Sequence, residues 1–224
     1  MSHLGAAALV MARAPRPGAC KTRLQSALGP DGCARLQAAL IVSTAAWATR
    51  AAPGAVFVAY TPDDPQALAE VGDLLPAGTD LFPQEGGDLG ARLTHATARV
   101  LAHHPGPLLV VGTDLPSLAP RHATTALEDL QAGCDVVFGP AFDGGYYLVA
   151  MTEPHPELFA LPPQAWGGDE VLALSIAAAA HAGLEIGLLD AERDLDTLAD
   201  ARAAIADPAI PPRLAELLRP ALAS

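Results

Sequence analysis

The chain has 224 residues and 51% hydrophobic content, enough for one large domain or two small ones. Its formal net charge of −12 argues against nucleic acid or an anionic membrane as a partner. No apolar run reaches the ~20 residues that span a bilayer, and no signal peptide is recognisable. The three cysteines form no CxxC pair, which favours free thiols in a reducing cytoplasm.

The first part of the chain alternates short apolar runs with helical patterns, which predicts parallel strands joined by right-handed crossovers. The predicted strands are Ala6–Met11, Ala55–Tyr60, Asp80–Pro83, Leu108–Val111 and Cys134–Pro140. The predicted helices are Pro30–Arg50, Asp63–Leu75, one that begins after Asp88 and buries Leu89, Leu93, Ala96 and Val100, and Pro120–Gln131.

The alternation then breaks at Phe142–Tyr146, where an Asp-Gly-Gly turn lies between two apolar runs and predicts an antiparallel hairpin. The remaining predicted elements are a helix over Gly168–Ala182, a strand over Leu184–Leu189, and helices over Thr197–Ala206 and Arg213–Leu222. No repeat or linker is present. We therefore predict one α/β domain over residues 1–224 with a mixed, mostly parallel sheet.

The first loop, Ala12–Leu24, collects positive charge in an acidic protein. Lys21 is the only lysine of the chain, and a lysine serves as a compact point charge on phosphate. A strand followed by a Gly-containing turn and cations is a common phosphate-binding arrangement; a solvated basic loop is the alternative. The candidate phosphate-binding residues are Arg13, Gly18, Lys21, Thr22 and Arg23, with Arg16 as a further cation.

Carboxylates follow two strands. Asp114 comes after the run Leu108–Val111, where ligands of open α/β sheets collect. Asp194 and Asp196 alternate in an extended segment and are expected on the same side of it. With Asp114 they would suit an octahedral Mg²⁺ or Mn²⁺. A turn around Asp114 and a helix cap at Asp196 or Thr197 are the structural alternatives.

The turn Asp143–Tyr147 is a third candidate region. Its glycines, Gly144 and Gly145, would let a sugar approach the backbone closely, although turn chemistry alone explains them. Tyr146 and Tyr147 point to opposite faces, so we expect one in the core and the other, taken as Tyr146, at a substrate. The loop Trp166–Glu170 is either a helix cap or a lip of the acceptor site. In the segment 84–93, Asp88 caps a helix and Arg92 lies one turn beyond.

Five stretches together resemble one family: APRPGACKTRL, QEGGDLGARL, VVGTDLPSL, DVVFGPAFDGGYYLV and DLDTLAD. The resemblance is to the MobA-like transferases called radical-SAM/selenodomain-associated transferases or arsenosugar-biosynthesis glycosyltransferases, in the GT-A nucleotide-diphospho-sugar transferase superfamily. It implies a Rossmann-like three-layer α/β/α sandwich, a nucleotide at the end of the first strand, and a metal at Asp114. Distant guanylyl- and cytidylyltransferases carry several glycines in the first loop, whereas here Pro15 and Pro17 accompany only Gly18.

Three functions remain open. In a glycosyltransferase, a nucleotide-sugar diphosphate lies over Lys21, Arg13 and Arg23, and a metal on Asp114 neutralises the leaving group. Asp194 or Asp196 helps to hold that metal, and Asp143 or Asp169 takes the proton of a small-molecule acceptor. In a nucleotidyltransferase, a phosphorylated acceptor attacks an NTP and pyrophosphate leaves. A nucleotide-binding protein without turnover is the third.

Beyond the first loop, Arg92 and Arg121 are the only cations near the predicted site, which favours glycosyl transfer because a phosphorylated acceptor would need more. The predicted catalytic residues are Lys21, Asp114 and Asp143, and the predicted metal ligands are Asp114, Asp194 and Asp196. The predicted substrate-binding residues are Arg13, Gly18, Thr22, Arg23, Asp88, Arg92, Gly144, Gly145 and Tyr146.

Overall fold

The computed structural model describes residues 5–222 and contains one seven-stranded mixed sheet. In chain order the strands are β1 Ala7–Arg13, β2 Val56–Thr61, β3 Asp80–Pro83, β4 Leu108–Val111, β5 Val136–Pro140, β6 Tyr146–Met151 and β7 Ile186–Leu188. They are arranged in the order β3-β2-β1-β4-β6-β5-β7. Strand β6 runs antiparallel to both β4 and β5, and the other neighbouring pairs are parallel.

Within residues 5–222, seven α-helices connect these strands or follow them: α1 Gln25–Ala51, α2 Pro65–Gly72, α3 Leu89–His103, α4 Pro120–Ala132, α5 Val171–His181, α6 Leu198–Ala206 and α7 Pro212–Leu218. Helix α1 begins earlier than the predicted Pro30. Its first turn is separated from the rest by Gly29, whose φ of 68° is not helical. Pro30 therefore starts the second, longer part of α1, where its missing N–H costs no helical hydrogen bond.

Helices cover both faces of the sheet. In β1, Ala8 and Val10 pack into one core with α1, α2 and α4. Ala7 and Leu9, on the opposite face, pack into a second core with α3 and α5. This alternation along a strand whose first four residues are all buried is typical of a central strand in a parallel sheet. The predicted three-layer α/β/α sandwich is confirmed.

A third apolar cluster fastens the C-terminal segment to the outer side of α1. Leu36 and Leu40 of α1 contact Leu214 and Leu218 of α7, and Leu195 belongs to the same cluster with no exposed surface. The segment that carries Asp194 and Asp196 is therefore held by packing. Among residues 5–222, the structure has no helix of the length and apolarity that a bilayer crossing needs.

The predicted bounds of β3 and the antiparallel β5–β6 hairpin are confirmed. One burial prediction is wrong: Leu93, Ala96 and Val100 are buried, but Leu89 is 42% exposed. Leu89 is the first residue of α3, at the end of the helix where the two cavities open. Its side chain instead borders two cavities at the carboxyl end of β1 and β4.

Candidate active site

Three distant stretches of the chain meet at Asp114, which follows β4. The Lys21 ammonium lies 2.7 Å from Asp114 Oδ1 and donates a 2.6 Å hydrogen bond to the Leu195 carbonyl. The Leu195 N–H in turn donates to the Asp114 carbonyl at 2.7 Å. The Lys21 side chain is only 4% exposed, whereas that of Asp114 is 56% exposed. The Asp114 carboxylate is thus exposed to solvent, while its backbone carbonyl and its Lys21 partner hold the residue in place.

On one side of Asp114 lies a cavity of about 330 Å³ that we call the polar cavity. Three cationic side chains border it: Arg13 at the end of β1, Lys21, and Arg92 on α3. Two side-chain amides, two hydroxyls and a carboxylate supply further polar groups, and the backbone ends of β1 and β4 form its floor. These additional lining residues are Gln37, Thr61, Gln84, Thr113 and Asp196. The arrangement has the donors that a polyphosphate requires.

On the other side lies a cavity of about 320 Å³ that we call the apolar cavity. Its walls are mainly aliphatic and aromatic, from β1, α3, β4, β6, α5 and the loop before α5. Among its lining residues are Leu93, Val110, Tyr146, Val149, Trp166 and Val171. The charged groups are three carboxylates, Asp114, Asp143 and Asp194, and no Lys, Arg or His side chain lines it.

Asp194 is the most perturbed of these carboxylates. Partial burial, followed by repulsion from Asp143, Asp200 and Asp114, raises the pKa of Asp194 from 3.8 to about 6. Neighbouring carboxylates that repel one another form the kind of oxygen-rich, negatively charged donor set that Mg²⁺ and Mn²⁺ bind. Within residues 5–222, no three His, Cys, Asp or Glu side chains are already gathered into a metal-binding group. Asp114 and Asp194 fit a divalent ion that keeps several waters.

The expectation that Asp194 and Asp196 share one side of their segment is wrong. Asp194 lines the apolar cavity and Asp196 the polar cavity. The chain bends at Leu195, whose backbone N–H and carbonyl are both held at the junction with Asp114 and Lys21. Asp196 Oδ2 also pairs with Arg23 at 2.6 Å. Asp143 therefore lies with Asp114 and Asp194, in place of Asp196.

The cations of the first loop have two roles: Arg16 forms ion pairs with α2, and Arg13 and Lys21 line the polar cavity. Arg16 points to α2, where it pairs with Asp64 at 2.6 Å and Glu70 at 2.7 Å and lowers the pKa of Asp64 to about 2. Arg13 and Lys21 line the polar cavity, whereas Gly18, Thr22 and Arg23 border neither cavity. Gly18 has a φ of 81°, so it serves the turn.

The hairpin turn carries Asp143 on a braced backbone. Asp143 Oδ1 accepts the Gly145 N–H at 2.9 Å, which fixes the carboxylate beside the apolar cavity. Gly144 has a φ of 90°, and a Cβ there would lie 2.0 Å from the Asp169 carbonyl oxygen. Asp169 therefore packs on the turn, while Trp166, Gly167 and Gly168 form the lip of the cavity.

Both tyrosines of the hairpin line the apolar cavity, whereas the sequence prediction placed only Tyr146 at a substrate. Tyr147 is 7% exposed and packs edge-on against His122. Tyr146 contacts Phe138 and lines the apolar cavity with its ring. Burial raises the pKa of the Tyr146 hydroxyl well above its usual value, so the phenol stays neutral and offers its ring face, not a charge, to a ligand.

Asp88 caps α3 by accepting the Ala91 N–H at 2.8 Å and borders neither cavity. Arg92 Nε donates to the Gly86 carbonyl at 3.1 Å and lines the polar cavity. Arg121 pairs with Glu192, away from both cavities.

Two amides that line the polar cavity were not predicted from the sequence: Gln84 just after β3 and Gln37 on the buried face of α1. Gln84 directly follows β3, and a polar residue at the carboxyl end of a strand is the same kind of signal that identified Asp114.

The fold places the chain among transferases. A structure from Desulfovibrio desulfuricans G20, provisionally described as a nucleotide-diphospho-sugar transferase, superposes with a TM-score of 0.84 at 28% identity and covers 97% of this chain and 95% of its own. The inositol-1-phosphate CTP transferase of T. maritima has a TM-score of 0.53 at 14% identity, with 99% and 98% coverage. Rv0371c of Mycobacterium tuberculosis H37Rv, a manganese complex, has a TM-score of 0.52 at 20% identity, with 89% and 97% coverage. No curated protein has a significantly similar sequence.

Residues 44–166, more than half of the chain, match the family model described as "Uncharacterized protein conserved in bacteria (DUF2064)". The chain belongs to the DUF2064 family. The part that matches the DUF2064 model contains Asp114 and the hairpin turn with Asp143. Lys21 and Asp194 lie outside it, so the stretches on either side of the matched part complete the junction at Asp114.

Proposed function

We propose that this DUF2064 protein is a metal-dependent glycosyltransferase with a nucleotide-sugar donor and a small-molecule acceptor. One observation carries the proposal: Asp114 lies between a cavity lined by three cations, with Asp114 and Asp196 as its carboxylates, and a cavity lined by three carboxylates and no cation. A donor diphosphate suits the first environment, and an uncharged acceptor suits the second. The fold shared with the Desulfovibrio protein and the resemblance to MobA-like transferases support the same assignment.

The polar cavity would hold the nucleotide. Arg13, Lys21 and Arg92 surround it, and guanidinium groups bind phosphate oxygens through paired N–H donors. The Lys21 ammonium has three N–H donors and uses them on Asp114 and the Leu195 carbonyl, so at most one remains for a phosphate. Lys21 thus both balances the charge of Asp114 and adds positive potential at the leaving group.

Asp114 and Asp194 would hold Mg²⁺ or Mn²⁺ between the two cavities. When bound, such an ion neutralises the charge that develops on the departing nucleoside diphosphate. The protein keeps Asp114 in place through its bonded backbone carbonyl and its Lys21 partner. Asp143, held by the Gly145 N–H, lies on the acceptor side, where a carboxylate can accept the proton of an attacking hydroxyl.

Nucleotidyl transfer is the second candidate, because three cations on one cavity would also suit a triphosphate. That reaction would require a phosphorylated acceptor to enter the apolar cavity and meet Asp114, Asp143 and Asp194. Repulsion between these like charges makes nucleotidyl transfer the weaker candidate.

We place the protein in a reducing cytoplasm, because Cys20, Cys33 and Cys134 are all free thiols.

The products of the reaction decide between the candidates. Incubation with Mn²⁺ and separate panels of nucleotide-sugars and NTPs should release nucleoside diphosphate from a nucleotide-sugar, slowly even without acceptor. Asp114→Asn should abolish this release and the metal-dependent part of nucleotide binding. Release of pyrophosphate from an NTP would replace our proposal with nucleotidyl transfer. Tight nucleotide binding without either product would indicate a binding protein.

A further inference from the structure

The lining of the apolar cavity, the acceptor side of the proposed site, indicates which class of small molecule it accommodates. Its volume of about 320 Å³ is at the lower end of the roughly 300–1,000 Å³ of small-molecule sites, so it accommodates one small molecule. Apolar walls with a few polar groups at one end bind ligands that have an apolar face and one reactive polar end. In this cavity the polar end is the carboxylate group of Asp114, Asp143 and Asp194.

Two large side chains lie at the rim of the cavity: Leu89, whose exposure the core does not explain, and Trp166, which is partly buried against the second core. Leu89 is 42% exposed although it begins a helix whose neighbouring apolar residues are buried, and it borders both cavities. The Trp166 ring lines the apolar cavity beside Gly167 and Gly168. A large aliphatic side chain and an indole at the rim of a cavity cover the apolar face of a ligand.

The charge of the cavity excludes one class of ligand. A divalent ion on Asp114 and Asp194 would offset those two carboxylates, and the carboxylate of Asp143 would still face the acceptor in a cavity with no Lys, Arg or His side chain. Lys21 reaches Asp114 from the polar cavity and does not line the apolar one. A phosphate or carboxylate on the acceptor would thus be desolvated against like charge, which costs affinity.

We propose that the second substrate is an uncharged hydroxyl compound with an aromatic or aliphatic face, and not a phosphate ester. This inference rests on the proposed function and adds the class of acceptor to it. The acceptor's apolar face packs between Leu89 and Trp166, and its hydroxyl points to the carboxylates at Asp114.

The chain offers a specific optical signal for acceptor binding, because it has two tryptophans. Trp166 lines the cavity, whereas Trp47 is 1% exposed in the core and donates to the Ala119 carbonyl at 2.9 Å. Tryptophan fluorescence is titrated, with Mn²⁺ and nucleoside diphosphate present, with two matched pairs of probes: 2-phenylethanol and 2-phenylethyl phosphate, and phenyl β-D-glucopyranoside and its 6-phosphate. Equilibrium dialysis of the same probes gives the affinities independently of any variant.

We expect saturable binding of the uncharged member of each pair, at least about tenfold tighter than its phosphate, and loss of the fluorescence change in Trp166→Phe. Leu89→Arg places a cation at the rim and should improve binding of the phosphates. The matched control is Leu68→Arg, at a residue 45% exposed on α2 that borders neither cavity, and it should leave both affinities unchanged.

Equal or tighter binding of the phosphates by the wild-type protein, or no saturable binding of either uncharged probe, would overturn the inference. Release of nucleoside diphosphate from the donor alone is measured in parallel. If that release persists while the acceptor result is negative, only the acceptor class is wrong. If donor cleavage is absent with every nucleotide-sugar, the proposed function itself fails.

Discussion

Lys21 combines an unusual backbone with a buried charge. Its φ of 47° makes it a non-glycine residue with positive φ among residues 5–222, a conformation that costs of order 1 kcal/mol and is found most often at functional sites. This conformation turns the side chain inward, where the ammonium meets Asp114 and the Leu195 carbonyl. The sequence singled out Lys21 as the only lysine, but its burial depends on contacts with residues more than 90 positions away.

Replacement of Lys21 by alanine should weaken nucleotide binding in proportion to phosphate count. We expect roughly a tenfold to hundredfold loss for a nucleoside diphosphate, typical of one charged hydrogen bond, and none for the nucleoside. Unfolding should become easier by about 1–3 kcal/mol, because the buried Leu195 carbonyl loses its Lys21 donor. Lys21→Arg should not restore binding, since the larger guanidinium does not fit the buried position. Calorimetry and denaturant titration measure the two effects.

Arg23→Ala is the matched control for this experiment. Arg23 is in the same loop but is 69% exposed, pairs with Asp196 and borders neither cavity. Its loss should change diphosphate affinity less than about twofold, as for an exposed ion pair. An equal loss in both variants would show that the loop attracts phosphate through its overall charge and that the position of Lys21 is irrelevant.

At the scale of elements, the β5–β6 turn connects the candidate base to the entry of α5. The Leu172 N–H at the start of α5 donates to the Gly144 carbonyl at 2.9 Å. The absence of a side chain at Gly144 allows Asp169 to approach to within contact of the turn. Gly144 is therefore explained by packing and φ, and Gly145, which lines the apolar cavity, remains the candidate for the sugar contact expected from the sequence.

Gly144→Ala separates packing from backbone strain. Gly54 has a positive φ of 81° with nothing within 4 Å of an added Cβ, whereas at Gly144 the Cβ would meet the Asp169 backbone. Gly54→Ala should cost about 1 kcal/mol from strain alone. Gly144→Ala should cost more and also reduce transferase activity, because Asp143 moves with the turn. Thermal unfolding and product assays check this. An equal loss of stability in the two variants would mean that the Asp169 backbone moves aside from the added Cβ at little energetic cost.

Local patterns predicted the elements far better than the site. Alternation of apolar runs located the strands, and Asp-Gly-Gly located the hairpin, because these signals depend on neighbouring residues. The bend at Leu195 could not be predicted, since it depends on hydrogen bonds to Asp114 and Lys21. Helical periodicity also predicted a buried Leu89, because periodicity identifies the buried face of a helix but not a cavity at the start of it.

At the scale of the whole molecule, the acidic cluster opposes folding when no cation is bound. The folded-state pKa of Asp194, about 6, exceeds its ordinary value of 3.8, so the folded state holds this proton more tightly than the unfolded chain. The free energy of unfolding therefore falls as pH rises from about 4 through about 6, where Asp194 loses its proton in the folded state. By pH 8 this loss of stability is complete. Sites that hold functional charge commonly reduce stability in this way.

Asp194→Asn should stabilise the metal-free protein by about 1–2 kcal/mol at pH 8, after allowance for solvent screening, and have little effect near pH 4. Mn²⁺ should raise the Tm of the wild-type protein but much less that of the variant, because a ligand is lost. Asp196→Asn, whose carboxylate pairs with Arg23, should behave as wild type. If Asp196→Asn abolishes the Mn²⁺ effect instead, the metal lies in the polar cavity. Scanning calorimetry with and without Mn²⁺ distinguishes these outcomes.

The junction at Leu195 also determines when the protein becomes competent during its synthesis. A nascent chain that has emerged only through α5 already contains the six strands β1 to β6, with Lys21, Asp114 and Asp143, but not the residue that accepts the Lys21 hydrogen bond. The ammonium of such an intermediate has Asp114 as its partner but no carbonyl from residue 195, and Asp194, the second proposed metal ligand, has yet to be translated. On the ribosome, the proposed nucleotide site is thus completed only after the strands β1 to β6 have been made.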